Sequence, residues 1–438
     1  MPLSRLAQRL TSVAALTAAA ALVSATPGPG QEVRLSIQKG FGEKVIVAVP
    51  LFEGEGAGLA GAGEIREVLS FDLDQSGYFR TVENLEFVDE TERDDRRSGA
   101  IDFREWLALG AEVLVKGEFR AGPTEFAVEA TIYDLAQGQS IFGRRYTGVP
   151  AQWRGAVHRL ADDIVQRLTG ERGIATSKIA FVSNATGTKE IYVMDYDGEN
   201  RKRLTKDNSI ATSPDWFPGG NDLIYTRIGG DRQETRRVEV LSGKSEGVTR
   251  FPGLNAFADV SPRGNEILLA LSRDGNTEIY RVRDDGSEPR RLTYGRSTES
   301  SPCWSPDGRR LAFVSDRSGV PQIYIMSAGG GDADRVTYEG NYNTSPDWSP
   351  KGDLVAYTSR IEGVYQVCTV NVETKEVIRL TTGGGQKEDP SWAADGRHLA
   401  YSMTSGGKSD IYMLDIYELV PVRLTAGAGD YESPAWSP

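Results

Sequence analysis

A segment of 44 residues recurs through six periods in the C-terminal part of this 438-residue chain, and the repeat limits the folds that the chain can adopt. In the copy SPCWSPDGRRLAFVSD, residues 301–316, a β-rich run leads into Ser-Pro-Asp-Gly and a second β-rich run follows. Proline presets φ at the second turn position and glycine accepts the conformation that closes the hairpin. Four antiparallel strands in each repeat are typical of one blade of a β-propeller.

The same residue types return at the same phase of the repeat. A tryptophan stands before the turn in five copies, and Val260 replaces it in the remaining copy; the tryptophans are Trp216, Trp304, Trp348, Trp392 and Trp436. A threonine closes the last strand of every copy, at Thr205, Thr249, Thr293, Thr337, Thr381 and Thr425. We expect the tryptophans to be buried, each contributing roughly 1.5–3 kcal/mol to stability.

The two ends of the repeat region indicate a closed ring. The region begins at SKIAFVS, which corresponds to a second strand, and ends at SPAWSP, which corresponds to a first strand. Joining Ser433–Pro438 to residues 178–205 completes a sixth blade, whereas an open solenoid would not require its ends to meet. The sequence therefore predicts a six-bladed β-propeller over residues 177–438, closed by the C-terminal strand.

Residues 41–170 lack the repeat and are predicted to form a small α/β domain, so the chain as a whole is an α+β multi-domain protein. Strands are predicted in EKVIVAVPLF, AEVLVKGEF, EFAVEATIYDL and QSIFGRRYTG. The spacing of apolar residues predicts helices in AGEIREVLSFDLDQSG, in DFREWLALG, and from about Ala151 to Leu168, where Gly170 follows as a stop.

The N-terminus has the layout of a secretory signal peptide. Two arginines precede an apolar run from Leu10 to Val23, and small residues up to Ala25 offer a cleavage site, which predicts a leader over residues 1–25. The alternative is a transmembrane anchor. The run of 14 residues would span only about 21 Å at 1.5 Å per residue, short of a ~30 Å hydrocarbon core. We therefore expect the protein to be exported from the cytoplasm.

Charge and cysteine content exclude some partners and leave one question open. The formal net charge is −12, and the chain lacks the clustered lysines and arginines that neutralise phosphates, so we expect no nucleic acid as a partner. The two cysteines, Cys303 and Cys368, fall on the first strand of one repeat and the third strand of the next. We expect two buried free thiols, with a disulfide as the alternative in an exported protein.

Signals of catalysis or metal binding are weak. The two histidines, His158 and His398, lack a Cys, His or acid cluster at metal-ligand spacing. Residues 243–247, GKSEG, match the G-x-S-x-G nucleophile pattern, but that pattern requires a strand-to-helix elbow and here it falls between two strands. DYDGEN at Asp195 resembles a calcium loop without its spaced ligands and final Glu. We predict no enzyme activity, no metal and no cofactor.

Function is expected where the repeats differ, in the loops that lead from each fourth strand to the next first strand and converge on the ring axis. These loops carry polar and aromatic residues suited to a protein or peptide partner. The predicted partner-binding mouth consists of Asn255, Arg296, Glu299, Tyr342, Asn343, Lys387, Glu388 and Tyr431. Solvated loops without a ligand are the alternative, and in both cases we expect these loop tips to lie outside the core.

Residues 26–40 form a predicted extended segment whose central part alternates apolar and polar side chains. This part, EVRLSI, comprises Glu32, Val33, Arg34, Leu35, Ser36 and Ile37. The alternation indicates an edge-capable strand, and QKGFGE follows as a flexible tether. Such a segment either adds to a partner's sheet or serves as the first strand of its own domain, and the residues alone do not distinguish the two.

These features together resemble the TolB family of periplasmic propeller proteins in the Tol-Pal system of Gram-negative envelopes. The resemblance rests on the leader, the mature start EVRL, the domain with SGYFRTVE, and the SPxWSPDGxxLAFxS repeats that end in PAWSP. It implies a monomeric, non-enzymatic adaptor whose propeller mouth binds the peptidoglycan-associated lipoprotein Pal and so holds the protein at the outer membrane. It also implies that residues 32–37 bind the C-terminal domain of TolA. In that family the assembly supports outer-membrane integrity and constriction at cell division, and some bacteriocins exploit it.

Some repeats depart from the family pattern, which we interpret as drift of the scaffold, and two other classes of propeller protein are the alternatives. One blade has Val260 and SPRG, and two others read AADG and FPGG in place of SPDG. The alternatives are the propeller of a prolyl oligopeptidase-like enzyme and a propeller that binds a small ligand. The first would need a hydrolase domain with a Ser, Asp and His set, which this sequence does not supply.

Overall fold

The computed structural model describes residues 43–56, 61–230 and 232–438. The predicted leader, residues 1–25, and the predicted partner-binding segment, including Glu32–Ile37, lie outside the described residues. Within them, an α/β front domain is followed by six four-stranded sheets. Both predicted architectures are therefore confirmed.

The front domain has one mixed sheet. Its strands are β1 (Val45–Ala48), β2 (Glu53–Gly56), β3 (Phe79–Thr81), β4 (Val113–Ala121), β5 (Phe126–Asp134) and β6 (Gln139–Gly148). Its helices are α1 (Ala62–Gln75), α2 (Leu85–Ser98), α3 (Phe103–Ala108) and α4 (Trp153–Thr169). The sheet order is β3-β1-β4-β5-β6, with β2 also paired to β4. Strand β1 runs parallel to β3 and β4, whereas β4, β5 and β6 form an antiparallel meander.

Helices α1 and α4 form where the apolar spacing predicts them. Helix α1 buries Ile65, Val68 and Leu69 on one face, and α1 packs against α4. Helix α4 ends at Gly170, whose φ of 79° is left-handed and therefore suits glycine. Helix α4 also contacts the propeller, because Arg154 Nη2 donates to Asp197 Oδ2 at 2.6 Å.

Helix α2 is missing from the sequence-based prediction because most of its residues are charged. Val88 is its buried apolar side chain, while the buried Asp95 accepts hydrogen bonds from Trp106 Nε1 at 2.9 Å and Lys116 Nζ at 3.0 Å. Asn84 caps the start of the helix and Gly99 ends it at a φ of 73°. These two cap residues are the signal that the sequence does offer.

The propeller strands follow in chain order. They are β7 (Lys178–Ser183), β8 (Glu190–Asp195) and β9 (Lys202–Arg203); β10 (Ile210–Trp216), β11 (Asp222–Gly229), β12 (Arg232–Glu239) and β13 (Ser245–Thr249); β14 (Asn255–Val260), β15 (Glu266–Leu271), β16 (Glu278–Arg283) and β17 (Arg290–Arg291); β18 (Glu299–Trp304), β19 (Arg310–Ser315), β20 (Gln322–Ser327) and β21 (Ala333–Arg335); β22 (Asn343–Trp348), β23 (Leu354–Ile361), β24 (Val364–Asn371) and β25 (Val377–Arg379); β26 (Gln386–Trp392), β27 (His398–Ser405), β28 (Lys408–Asp415) and β29 (Pro421–Arg423); and β30 (Tyr431–Trp436).

The C-terminal strand closes the ring as predicted. Strand β30 pairs antiparallel with β7, and the sheet order is β30-β7-β8-β9. The closure extends beyond the strand, because Ser437 N donates to the Lys178 carbonyl at 2.8 Å and Trp436 Nε1 donates to Ser177 Oγ at 2.7 Å. The last blade is therefore built from both ends of the repeat region.

The phased tryptophans and the cysteines are buried as expected. All five phased tryptophans are 5–6% exposed, and Val260, which replaces the missing one, is 8% exposed. Cys303 and Cys368 are free thiols that belong to one apolar cluster between two blades. The prediction of two buried free thiols is confirmed.

Candidate partner-binding site

The antiparallel order within each blade sends the connections to two opposite ends of the ring. Loops between second and third strands, and loops from each fourth strand to the next blade, emerge at one end, which we call the mouth face. The remaining turns emerge at the other end, the turn face. The front domain contacts the turn face, where Arg154 Nη2 donates to Asp197 Oδ2 at 2.6 Å and Arg397 Nη2 donates to the Gly77 carbonyl at 3.0 Å. The mouth face is thus the end opposite to the front domain.

The structure buries five of the eight residues that the sequence places at the mouth. Their exposed fractions are 0% for Asn255, 1% for Glu299, 0% for Asn343, 4% for Lys387 and 7% for Tyr431. The others are Tyr342 at 40%, the exposed Arg296 and the half-buried Glu388. The expectation that all eight are loop tips outside the core is therefore wrong for the five buried side chains.

The buried side chains support the mouth loops from within. Asn255 Oδ1 accepts from Phe251 N at 2.9 Å, and its Nδ2 donates to the Phe251 carbonyl at 2.7 Å. Lys387 Nζ donates to the carbonyls of Thr382 at 3.0 Å and Gly383 at 2.9 Å, and burial lowers the pKa of this amine. Buried backbone groups need hydrogen-bond partners, and a residue at the start of an innermost strand, the first or second, is placed to supply them. The differences between repeats at this position therefore reflect loop structure as much as function.

Large apolar and aromatic side chains are exposed on the mouth face instead. They are Ile210 at 45%, Tyr294 at 75%, Val320 at 39%, Tyr338 at 65% and Tyr342 at 40%. Tyr294 and Tyr338 each follow a closing threonine, one repeat apart, and this repeated aromatic is a signal that the sequence analysis missed. Ile210 and Val320 carry no comparable signal. Exposed aromatic and apolar side chains of this kind are typical of protein-binding surfaces.

Phe257 is exposed on an innermost strand, close to the mouth. Every innermost strand contains a bulge with a non-glycine residue at left-handed φ; these residues are Ser213, Phe257, Ser301, Ser345, Asp389 and Ser433. Phe257 has a φ of 53° and is 40% exposed. A bulky side chain in this conformation is strained, whereas the other five blades use small polar residues. Such strain at an exposed aromatic position favours a functional role.

Half-buried aspartates next to these bulges join neighbouring blades. Asp215 Oδ2 accepts from Val260 N at 2.8 Å, and Asp347 Oδ2 accepts from Trp392 N at 2.7 Å. Burial raises the pKa of Asp215 to about 6 and that of Asp347 to about 7. These carboxyls hold the ring together at its axis, beneath the mouth.

The fold brings acids to His158 that its sequence neighbours do not supply. His158 Nδ1 lies 2.8 Å from Asp72 Oδ2, and its Nε2 lies 3.5 Å from Asp197 Oδ2. Donor atoms of His158, Asp195 and Asp197 lie within 4.8 Å of one another. The set does not fit a metal ion, because the Arg154 guanidinium already binds Asp197 and a lysine already binds Asp195. The expectation that this histidine lacks nearby acids is therefore corrected, and the cluster is an ion-pair network between the two domains.

The two weak sequence motifs are turns in the structure. Ser245 of GKSEG begins β13 and pairs with Val238, and its Oγ accepts from Arg236 Nη2 at 3.1 Å. Asp195 ends β8, and its Oδ2 accepts from Asn200 Nδ2 at 2.6 Å. Neither segment has the local fold that its pattern requires, as the sequence context predicted.

The fold and the mouth define a two-domain propeller protein with an aromatic-bearing end surface. A family model for the TolB beta propeller domain matches residues 165–438, and one for the TolB amino-terminal domain matches residues 33–141. The chain belongs to the TolB family. Within the described residues, none of the helices has the length and hydropathy needed to cross a bilayer.

Relatives with known names support this assignment. The chain is 36% identical over 295 residues to a protein of Anaeromyxobacter dehalogenans, covering 66% of this chain and 67% of the relative, and 35% identical over 262 residues to one of Desulfosudis oleivorans, covering 59% of each. A Syntrophotalea carbinolica relative is 38% identical over 163 residues, 38% of its length. All three are named Tol-Pal system protein TolB. The alignments with the last two relatives therefore span less than two thirds of their length.

A solved structure has the same architecture. The crystal structure of TolB from Acinetobacter baumannii matches with a TM-score of 0.77 at 25% identity, covering 90% of this chain and 97% of that one. The shared architecture therefore includes the front domain as well as the propeller.

Proposed function

We propose that the protein is a non-enzymatic periplasmic adaptor of the Tol-Pal system, whose mouth face binds Pal. Relatives named Tol-Pal system protein TolB support membership of that system. Through Pal and TolA, such an adaptor would support outer-membrane integrity and constriction at cell division. The observation that carries the binding site is the exposed, strained Phe257 at the mouth, accompanied by the exposed tyrosines Tyr294, Tyr338 and Tyr342.

The arrangement suits a protein partner more than a small substrate. Aromatic residues dominate the binding free energy of protein interfaces, and the mouth exposes four of them. Arg296 and the side chain of Arg250, which is 63% exposed, add charge at the rim of the same face. The buried Asn255, Glu299, Asn343, Lys387 and Tyr431 would act on Pal through the loops that they hold in place.

The variant Phe257→Ser tests the site. Serine is the residue that four other blades carry at this left-handed position, so we expect stability to stay within about 1 kcal/mol of the parent. Affinity for purified Pal, measured by titration calorimetry, should fall at least about 10-fold because a central aromatic contact is lost.

The matched control is Leu241→Ser, since Leu241 is 80% exposed on the turn face and its replacement should leave Pal affinity unchanged. Unchanged affinity in Phe257→Ser would exclude this surface. Failure of the parent protein to bind Pal would contradict the proposed function itself.

A further inference from the structure

A buried polar network joins the front domain to the propeller around His158. The front domain supplies His158 and Arg154 from α4 and Asp72 from α1, while the turn after β8 supplies Tyr196 and Asp197 from the propeller. His158 is 2% exposed, Asp72 is 3% exposed and Tyr196 is fully buried. Water therefore has little access to these groups, and their protons and charges must be matched by one another.

The contacts of the network alternate between the two domains. Tyr196 Oη donates to Asp72 Oδ1 at 2.6 Å, and the other oxygen of Asp72 lies 2.8 Å from His158 Nδ1. The Tyr196 and His158 rings meet edge to face, with centroids 5.8 Å apart. His158 Nε2 is buried without a hydrogen-bond partner, 3.5 Å from Asp197 Oδ2.

The number of protons on the imidazole decides whether this arrangement is satisfied. A neutral ring has one N–H, and two carboxylates face its two nitrogens, so either tautomer leaves one lone pair opposite a carboxylate. A doubly protonated ring donates from Nδ1 to Asp72 within the front domain and presents Nε2–H to Asp197 of the propeller. Protonation thus adds an attractive contact across the domain boundary.

The charged groups around the ring favour the protonated state. The acids that face it are Asp72 from α1, Asp162 from α4, Asp195 from the end of β8 and Asp197 from the turn that follows. The cations are Arg154 on Asp197 and Lys178 on Asp195. Burial would lower the pKa of His158, but the hydrogen bond and charge of Asp72 and the charges of Asp197 and Asp195 outweigh it and raise the pKa above the ordinary value. Burial also raises the pKa of Asp72, so the His158–Asp72 pair retains its proton.

We propose that His158 is a pH-dependent latch between the front domain and the propeller. The protonated ring bridges Asp72 and Asp197 and fixes the two domains together. Loss of one proton leaves Nε2 facing the Asp197 carboxylate and weakens the junction at this point.

The direction of the pH dependence follows from the raised pKa. The contribution of the latch to the junction is fully present below the ordinary histidine pKa of about 6.5, and it is lost as pH rises through the higher pKa of the folded protein. The second contact of the junction lies elsewhere on the turn face, beside His398. There Arg397 donates to the Gly77 carbonyl at 3.0 Å and Lys44 Nζ lies 2.6 Å from Glu418 Oε1.

The test measures the separation of the domains directly. Spin labels on cysteines introduced at Arg145, 57% exposed in the front domain, and Leu241, 80% exposed in the propeller, report a distance distribution by electron paramagnetic resonance. Cys303 and Cys368 are buried and do not compete for the label. We expect the distribution to broaden or shift between about pH 5.5 and about pH 9, and His158→Gln to abolish that change.

The control is His398→Gln, because this histidine lies at the second contact, where its Nδ1 is 2.6 Å from Asp395 Oδ2, and this variant should keep the pH-dependent change. An unchanged parent distribution, or a pH response that persists in His158→Gln, would overturn the proposal. If His158→Gln does not fold, Asp197→Asn carries the same test, since it removes the propeller's carboxylate and should also abolish the change. The titration of His158, followed by nitrogen NMR of labelled imidazole, should have its midpoint above about 6.5; a lower midpoint would contradict the latch.

Discussion

Several polar side chains at the mouth are buried and bonded to other groups of the protein, which limits their direct contact with a partner. Glu299 accepts from Ser297 Oγ at 2.8 Å and Ser315 Oγ at 3.0 Å, and Asn343 Nδ2 donates to Gln322 Oε1 at 2.8 Å. Replacing Glu299 by lysine would place a cation among groups arranged for an anion. Such a variant would change stability as well as binding, so exposed side chains such as Phe257 are the better probes of the site.

Asp347 gives a pH-dependent prediction at the same scale. Burial and the charge of Asp215 raise the pKa of Asp347 to about 7. The protonated carboxyl therefore stabilises the folded protein, and this contribution is fully present below the ordinary pKa of about 3.9. It is lost as the pH rises to about 7. Asparagine keeps the acceptor for Trp392 N without the charge. We expect Asp347→Asn to be more stable than the parent at about pH 8, by an amount on the order of a few kcal/mol at most, and the difference to shrink towards pH 4. Denaturant unfolding at both pH values measures it.

The control for Asp347 is a carboxylate whose pKa is shifted in the opposite direction. Hydrogen bonds from Ser305 Oγ and Arg309 N lower the pKa of Asp307, which is exposed in a turn. Asp307→Asn should give no gain at high pH. A stability difference between Asp347→Asn and the parent that does not change with pH would show that the Asp347 carboxyl does not titrate as inferred.

Individual strands are tied into blades by the threonine that recurs in each repeat. In five of the six repeats the hydroxyl accepts from the backbone N–H fourteen positions earlier, as Thr205 does from Ile191 at 2.9 Å and Thr425 does from Ile411 at 2.8 Å. In the remaining repeat the Thr249 hydroxyl instead bonds to the Thr235 hydroxyl at 2.7 Å. This bond connects the short outermost strand to the third strand of the same blade. A two- or three-residue strand therefore holds its place without a long ladder.

Strand β30 is the element whose removal tests ring closure. Deleting Ser433–Pro438 removes Trp436 and most of the strand that pairs with β7, so the edge of β7 and apolar surface become exposed. We expect a loss of stability greater than that of Trp436→Ala, which should cost about 3–5 kcal/mol. Thermal unfolding and size-exclusion chromatography measure the loss and any association through the exposed edge.

The comparison with Trp436→Ala separates the side chain from the strand, because that variant keeps the backbone pairing. A truncated protein that melts within about a degree or two of the parent would show that ring closure does not depend on β30.

Two surfaces of the molecule lie at opposite ends of the propeller. The mouth lies at one end, and the front domain contacts the other end through Arg154, Arg397 and Lys44.

The proposed TolA segment is testable on its own. Deleting residues 32–37 should abolish binding of the TolA C-terminal domain, because the alternating strand that would join its sheet is removed. Pal affinity should stay within a few fold and the melting temperature should change little. Unfolding of the front domain, or intact TolA binding, would show that the segment is structural.

The sequence determined the architecture of this protein because the architecture repeats. Trp216, Trp304 and their equivalents recur at one position of the repeat, which indicates six similar buried environments. The repeat identifies this position even in the copy that has Val260 instead. Closure by β30 also followed from the sequence, since the partial repeats at the two ends complete one blade. Local spacing was enough for α1 and α4, whose buried faces are apolar, but not for α2, whose buried face includes Thr91, Glu92 and Asp95.

The tertiary structure decided which polar residues are accessible and which distant groups meet. Asn255 and Lys387 have the sequence character of mouth residues, yet their side chains turn under loops whose carbonyls need donors. The strain at Phe257 depends on a backbone bulge, and the acids around His158 come from α1 and from a propeller turn. Burial, backbone conformation and contacts between domains are properties of the packed chain, because they arise from residues far apart in sequence.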